Sequence, residues 1–165
     1  MNKKFEHLRK NYTANTLEES NTPDAPIELF MRWFDEVSDV GGVDEVNAMT
    51  LSTVNSDGKV QGRVVLLKGN IDDSFVFYTN YESRKAKELS RNSKVSLLFP
   101  WNQIDRQIKI CGEAQKLSST DSRDYFVSRP RGSQIAAIAS KQSSVIDSRA
   151  ALMDEFDALN QKYKD

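Results

Sequence analysis

Between residues 47 and 117 the chain runs through five short apolar segments, with only one gap long enough for a helix. Residues 47 to 54 (N-A-M-T-L-S-T-V) read as a first strand. Asn55-Ser56-Asp57-Gly58 then supplies a hairpin turn in which Gly58 is free to take a positive φ. Val60 to Lys68 is the returning strand, Asn70 to Ser74 the next turn, and Ser74 to Thr79 a third strand. Val95 to Trp101 makes a fourth, and a polar connection from Asn102 to Asp105 leads into a long strand from Arg106 to Leu117. Consecutive strands joined by tight turns pair antiparallel, since a parallel return needs a long crossover. The expected fold is mainly β with flanking helices, closing toward an antiparallel barrel.

The flanks are helical in pattern. From Pro26, residues Ile27, Phe30, Trp33-Phe34 and Val37 recur at three and four residues, with Pro26 suited to a first turn. A second helix is expected from Ser83 to Arg91, and a third from Ser119 to Ser128, stopped by Arg129-Pro130. A fourth, capped by Ser133, is expected to run to Ser140. A last one from Ser148 to Lys164 carries Leu152, Phe156, Leu159 and Tyr163 on one stripe that needs a partner surface. Residues 1–24 are polar and read as a mobile arm with a marginal helix from Phe5 to Tyr12, leaving residues 25–165 as the folded domain.

Charge is placed unusually at two of these helix starts. Ser83 is a good N-cap, but Arg84 and Lys85 follow it, where a helix N-terminus prefers acidic residues. Arg129 and Arg131 likewise stand beside the expected fourth helix. Cations next to free backbone N–H groups make sense where an anion completes the site, and phosphate is the usual guest. A solvated basic turn is the plainer reading of either one alone. Two of them, with Arg63 and Lys68 at the ends of an apolar strand, suggest a barrel that binds two phosphate-bearing ligands, a pairing typical of cofactor and substrate. Regular alternation puts Arg63 and Lys68 on opposite faces, and a bulge or barrel rim is needed to bring both to one ligand.

Composition narrows the partners. Twenty-three Lys and Arg against 24 Asp and Glu leave a formal net charge of -1, so no global basic field favours nucleic acid. No apolar run reaches the length of a membrane span, and the N-terminus has no signal-peptide core. The single cysteine, Cys111, excludes an internal disulfide and fits a reducing, cytoplasmic setting; its apolar surroundings suggest a buried structural thiol. His7 is the only histidine, so neither a Cys/His zinc site nor a His-based triad can be assembled from this chain alone.

The motifs R-V-V-L-L-K (63–68), F-Y-T-N-Y-x-S-R-K-A (77–86), S-L-L-F-P-W (96–101), R-Q-I-K-I-x-G (106–112), Y-F-x-S-R-P-R-x-S-Q-I (125–135) and S-K-Q-S-S (140–144) occur in this order. Together they closely resemble the pyridoxine (pyridoxamine) 5′-phosphate oxidase family, over most of the chain. The resemblance implies an FMN-binding split β-barrel, a homodimer with FMN at the subunit interface. It also implies oxidation of pyridoxamine or pyridoxine 5′-phosphate to pyridoxal 5′-phosphate, with O2 as acceptor and H2O2 released.

Carried over position by position, the resemblance makes Arg63, Val64, Val65, Leu66, Leu67 and Lys68 contacts to FMN. Tyr78, Thr79, Arg84 and Lys85 join them, as do Gln107, Gln142 and Ser143. Lys68, Tyr125, Arg129 and Ser133 resemble contacts to the substrate, chiefly its phosphate, while Arg9 to Tyr12 resembles a segment that closes over it. Ala136 stands where the family often has glycine. The family pattern also continues beyond the last helix into motifs resembling W-G-G-Y, E-F-W-Q-G and R-L-H-D-R, which do not occur in these 165 residues and leave flavin affinity and turnover open. Two other readings use the same cations: a non-catalytic module that carries FMN or pyridoxal phosphate, and a barrel that binds single-stranded nucleic acid along a groove.

Overall fold

The computed structural model describes residues 7–8, 11–12, 16–42 and 44–164. The helix expected from Phe5 to Tyr12, and Arg9 with it, falls largely outside these residues. The first long element is helix α1 (Pro26–Val40), with Pro26 in its first turn. Strands β1 (Ala48–Val54) and β2 (Val60–Leu66) follow as a hairpin. Its turn is held by Asn55, whose Oδ1 accepts from the backbone N–H groups of Asp57 and Lys59, while Gly58 takes φ 77°.

Beyond β2 the chain departs from the expected single turn. A short hairpin forms instead, from β3 (Gly69–Ile71) and β4 (Ser74–Val76). Asp72 and Asp73 at its tip both have positive φ, which twists a two-residue turn in the sense that paired strands need. Helix α2 (Arg84–Arg91) begins where expected, with the Ser83 hydroxyl accepting from the Ala86 N–H. Strand β5 (Lys94–Trp101) and strand β6 (Arg106–Glu113) are joined by one turn of 3-10 helix. Helices α3 (Ser119–Ser128), α4 (Arg131–Ala139) and α5 (Arg149–Lys162) complete the described chain.

All pairings are antiparallel. The main sheet has the order β2-β1-β5-β6, and β3-β4 forms a separate ribbon, tied to the end of β2 by the Lys68 N–H donating to the Val76 carbonyl. The core lies between α1 and one face of the main sheet. Alternation on β1 buries Met49, Leu51 and Thr53, and alternation on β5 buries Leu97, Phe99 and Trp101. Phe30 of α1 sits among aromatic rings, edge-on to Phe75 and Phe99 with centroids at 4.8 and 5.2 Å. The indole N–H of Trp101 is satisfied by the Val46 carbonyl at 3.0 Å. This packing stiffens the sheet, and the other elements hang their polar side chains from it.

Two helix details differ from expectation. Helix α4 starts at Arg131, with Pro130 as its N-cap and no side-chain cap. Ser133 is therefore inside the first turn, its N–H bonded to the Pro130 carbonyl at 2.8 Å. Proline fixes φ near the value the cap takes, and the first turn of α4 goes without a side-chain acceptor. The stripe on α5 finds part of its partner surface within the chain: α5 packs on α4, leaving Leu152, Phe156 and Leu159 half-buried and Tyr163 exposed.

Candidate active site

One large cleft, about 1250 Å³, opens between the end of β2, the β3-β4 ribbon, the start of α2, the end of β6 and helices α3 and α4. Ligand sites for one small molecule usually hold roughly 300–1000 Å³, so this volume suits a cofactor together with a substrate. Val64, Val65, Leu66 and Lys68 line it from β2 and the residues just after. Tyr78, Thr79 and Lys85 line it from the approach to α2, and Gln142 from the loop after α4. Tyr125 and Arg129 face it from the far side.

Lys85 is the best defined cation there. Its Nζ donates to Thr79 Oγ1 and to Gln142 Oε1, both at 3.0 Å. Both partners are neutral, so the ammonium is held without a carboxylate. Burial, and then the nearby guanidinium of Arg63, push the Lys85 pKa below its ordinary value, with Glu88 opposing them. Such a group lacks a counter-anion that a phosphate would supply. Among the described residues, neither Lys68 nor Arg129 is in an ion pair.

Tyr78 and Tyr125 meet across the cleft as a parallel stack. Burial and the Asp121 carboxylate raise the Tyr78 pKa, keeping that phenol neutral and able to donate a hydrogen bond. The Ser122 and Tyr81 hydroxyls approach to 3.4 Å, and the Lys116 ammonium lies 5.0 Å from the Tyr81 ring centre. Sequence reading did not single out Lys116 or Tyr81. Both are ordinary surface residues until the end of β6 delivers Lys116, and the approach to α2 delivers Tyr81, to the cleft rim.

Other candidates lie elsewhere. Arg84 and Ser143 face a second, shallower concavity of about 370 Å³ on the other side of the α2 start, shared with Lys87, Glu88 and Arg91. Ser143 has a left-handed backbone, φ 68°, which a serine rarely adopts without constraint. Arg63 points beneath α2. Its Nη1 donates to the Leu51 and Gln61 carbonyls and to Thr53 Oγ1, and its Nη2 to Glu88 Oε2. Leu67 is half-buried against the core. Ser133 is half-buried but does not line the cleft, and Tyr12 is exposed. Arg131 turns away to α5, donating to the Asn160 carbonyl at 2.9 Å. Gln107 is exposed on β6, paired with Pro100 at the end remote from the cleft.

Cys111 also differs from expectation. It is exposed, on the β6 face away from the core, because Ile108 and Ile110 take the inward positions.

Fold and site together define an antiparallel split-barrel protein built around a cleft lined by the cations Lys68, Lys85, Lys116 and Arg129 and by the carboxylates Asp72, Asp73 and Glu113. A family model described as pyridoxamine 5′-phosphate oxidase matches residues 36–163. A protein of Leptospira interrogans named pyridoxine/pyridoxamine 5′-phosphate oxidase is 46% identical over 164 residues, 99% of this chain and 76% of that protein. The crystal structure of PhzG from Burkholderia lata 383, in complex with tetrahydrophenazine-1-carboxylic acid, superposes with a TM-score of 0.82 at 30% identity, covering 90% of this chain and 74% of that one. A pyridoxamine 5′-phosphate oxidase-related, FMN binding protein from Nostoc punctiforme shares the fold, with a TM-score of 0.62 at 14% identity over 80% of this chain and 73% of that one. The chain belongs to the pyridoxamine 5′-phosphate oxidase family.

Proposed function

We propose that this chain binds FMN in the cleft and oxidises pyridoxamine or pyridoxine 5′-phosphate to pyridoxal 5′-phosphate, with O2 as acceptor and H2O2 as by-product. The observation that carries the reading is a single cleft lined by Lys85, Lys68 and Arg129, three cations from separate segments and none of them in an ion pair among the described residues. Their positive charge matches two phosphate esters, and the cleft volume allows for two ligands.

The residues present suit FMN. Lys85, braced by Thr79 and Gln142, would hold its phosphate, with Arg63, Arg84 and Ser143 around the same helix start. The backbone from Val64 to Leu67 would lie along the flavin, and Tyr78 would stand beside it. FMN, when bound, supplies the two-electron acceptor for the substrate's C4′ hydride. Arg129 and Lys68, with the Tyr125 hydroxyl, would hold the substrate phosphate. Arg9 and Tyr12 would close over the substrate. The protein's share is then chiefly orientation.

Gln107, remote from the cleft of its own chain, fits a homodimer in which it reaches the partner's flavin. Exposed apolar residues such as Val64, Val127 and Ile138 are consistent with that pairing.

The test is a visible absorbance spectrum of the purified chain, followed by a peroxide assay with pyridoxamine 5′-phosphate. A flavin spectrum with peroxide release is expected. Flavin without peroxide would favour the carrier reading, and absence of flavin after incubation with FMN would overturn both.

A further inference from the structure

The least expected polar cluster in the fold lies under α2. Thr53 occupies a core-facing position on β1, in line with Met49 and Leu51, and is 1% exposed. Its hydroxyl accepts from Arg63 Nη1 and donates to Glu88 Oε2, each at 2.5 Å. Glu88 is 5% exposed, and its Oε2 also accepts from Arg63 Nη2 at 3.1 Å. The remaining carboxylate oxygen, Oε1, is buried with no hydrogen-bond partner among the described residues.

Stability alone gives little reason for this arrangement. A buried ion pair is commonly matched by apolar residues of similar volume, and an orphaned buried carboxylate oxygen is unfavourable. Nor does Glu88 make the bond its helix position suggests. Arg84 lies four residues earlier, where a helical ion pair forms, yet the carboxylate reaches across to β2 instead. The effect is to pin the Arg63 guanidinium: Nη1 has three acceptors and Nη2 has Glu88, while Nε has no partner among the described residues. Lys85 stands three residues before Glu88 on the same face of α2, so the guanidinium bonded to Glu88 is held near the Lys85 ammonium. Glu88 balances one of these two cations, and the charge left over suits an anion on the open side.

We propose that Glu88, with Thr53 as relay, is a positioning residue that fixes Arg63 beside Lys85 so that both present their free donors to the flavin phosphate. The inference rests on the FMN reading above and adds to it a residue that touches no ligand.

The test measures FMN dissociation constants by flavin fluorescence in the full chain, beside the thermal midpoint of the flavin-free protein. Glu88→Leu removes the acceptor and is expected to weaken FMN about tenfold or more, the scale of one charge-assisted hydrogen bond. Glu88→Gln keeps an oxygen acceptor and is expected to restore most of that affinity. In an Arg63→Ala background, Glu88→Leu should then cost little more. Thr53→Val reads the same relay if the leucine variant fails to fold, and is expected to weaken FMN as well.

Tighter FMN binding by both Glu88 variants would mean the carboxylate merely neutralises Arg63, and would overturn the proposal. A lowered midpoint with unchanged FMN affinity would reduce Glu88 to a structural role. Additive losses with Arg63→Ala would show that it does not act through the guanidinium. If the unsubstituted chain takes up no FMN, the flavin reading fails and this inference falls with it, an outcome distinct from the other three.

Discussion

Tyr78, just past β4, and Tyr125, on α3, lie face to face with ring centroids 3.6 Å apart and planes 4° from parallel. Near-eclipsed rings are not the arrangement aromatic pairs prefer, since offset or edge-on contacts relieve the repulsion between π faces. The stack therefore reflects where β4 and α3 deliver the two rings. It links the side of the cleft assigned to cofactor with the side assigned to substrate.

A difference between two substitutions at Tyr125 follows from that link. Tyr125→Phe keeps the ring and removes the hydroxyl, so it is expected to raise the substrate KM and leave flavin affinity unchanged. Tyr125→Ala also strips Tyr78 of its neighbour and should weaken flavin by a few-fold at most, below the roughly 0.5–1.5 kcal/mol of an aromatic pair in a preferred arrangement. Flavin titration of both variants checks this, and equal flavin affinities would sever the link.

With Lys85 as the proposed anchor of the flavin phosphate, flavin binding is expected to be sensitive to pH on the alkaline side. Burial and then Arg63 lower its pKa, so the ammonium loses its proton below the ordinary lysine value of 10.5. The charged form is the one that attracts phosphate. Affinity should fall as pH rises through the lowered pKa, earlier than an unperturbed lysine allows. The flavin-free protein should respond in the opposite sense. Between the lowered pKa and 10.5 the unfolded chain binds more protons at this group, so its contribution to stability improves with pH. Lys85→Arg should move the loss of flavin affinity to higher pH, measured by fluorescence titration across the alkaline range. No movement would assign the loss to another group.

How much of this was legible beforehand depends on how local each cause is. Helix α1 followed from the spacing of Phe30, Trp33, Phe34 and Val37, and the α2 start from Ser83, because periodicity and capping are properties of a few neighbouring residues. The Asn55 turn was legible for the same reason. Strand β4 lies within the strand expected from Ser74 to Thr79, but β3 was not legible, since nothing around Gly69 marks a strand apart from its pairing with β4. Arg131 and Glu88 illustrate the larger limit. Sequence reading makes Arg131 part of an anion cradle and does not single out Glu88, and only the packing of α5 on α4, or of α2 over β1 and β2, decides which partner each one meets.

Arg84 and Lys85 are adjacent in sequence but face different concavities. Lys85→Ala should weaken FMN by about 10–100-fold, since it removes a half-buried charge-assisted contact. Arg84→Ala, at an exposed position, should cost less, while the double substitution should release flavin from the purified protein. Retention of full FMN occupancy in the double variant would move the phosphate site away from the α2 start.

The two arginines that flank Pro130 provide an internal control for the substrate side. Arg129 lines the cleft, whereas Arg131 is spent on the Asn160 carbonyl of α5. Arg129→Ala should raise the apparent KM for pyridoxamine 5′-phosphate by about tenfold or more while the protein stays yellow, because the contact proposed for Arg129 is to the substrate phosphate. Arg131→Ala should leave KM unchanged and lower stability by about 1 kcal/mol, the scale of one exposed side-chain bond between helices. Steady-state kinetics and a denaturant melt separate the two. If Arg129→Ala lost flavin and kept substrate affinity, the phosphates of cofactor and substrate would have to exchange places in the cleft, and Lys85 would become the substrate's anchor.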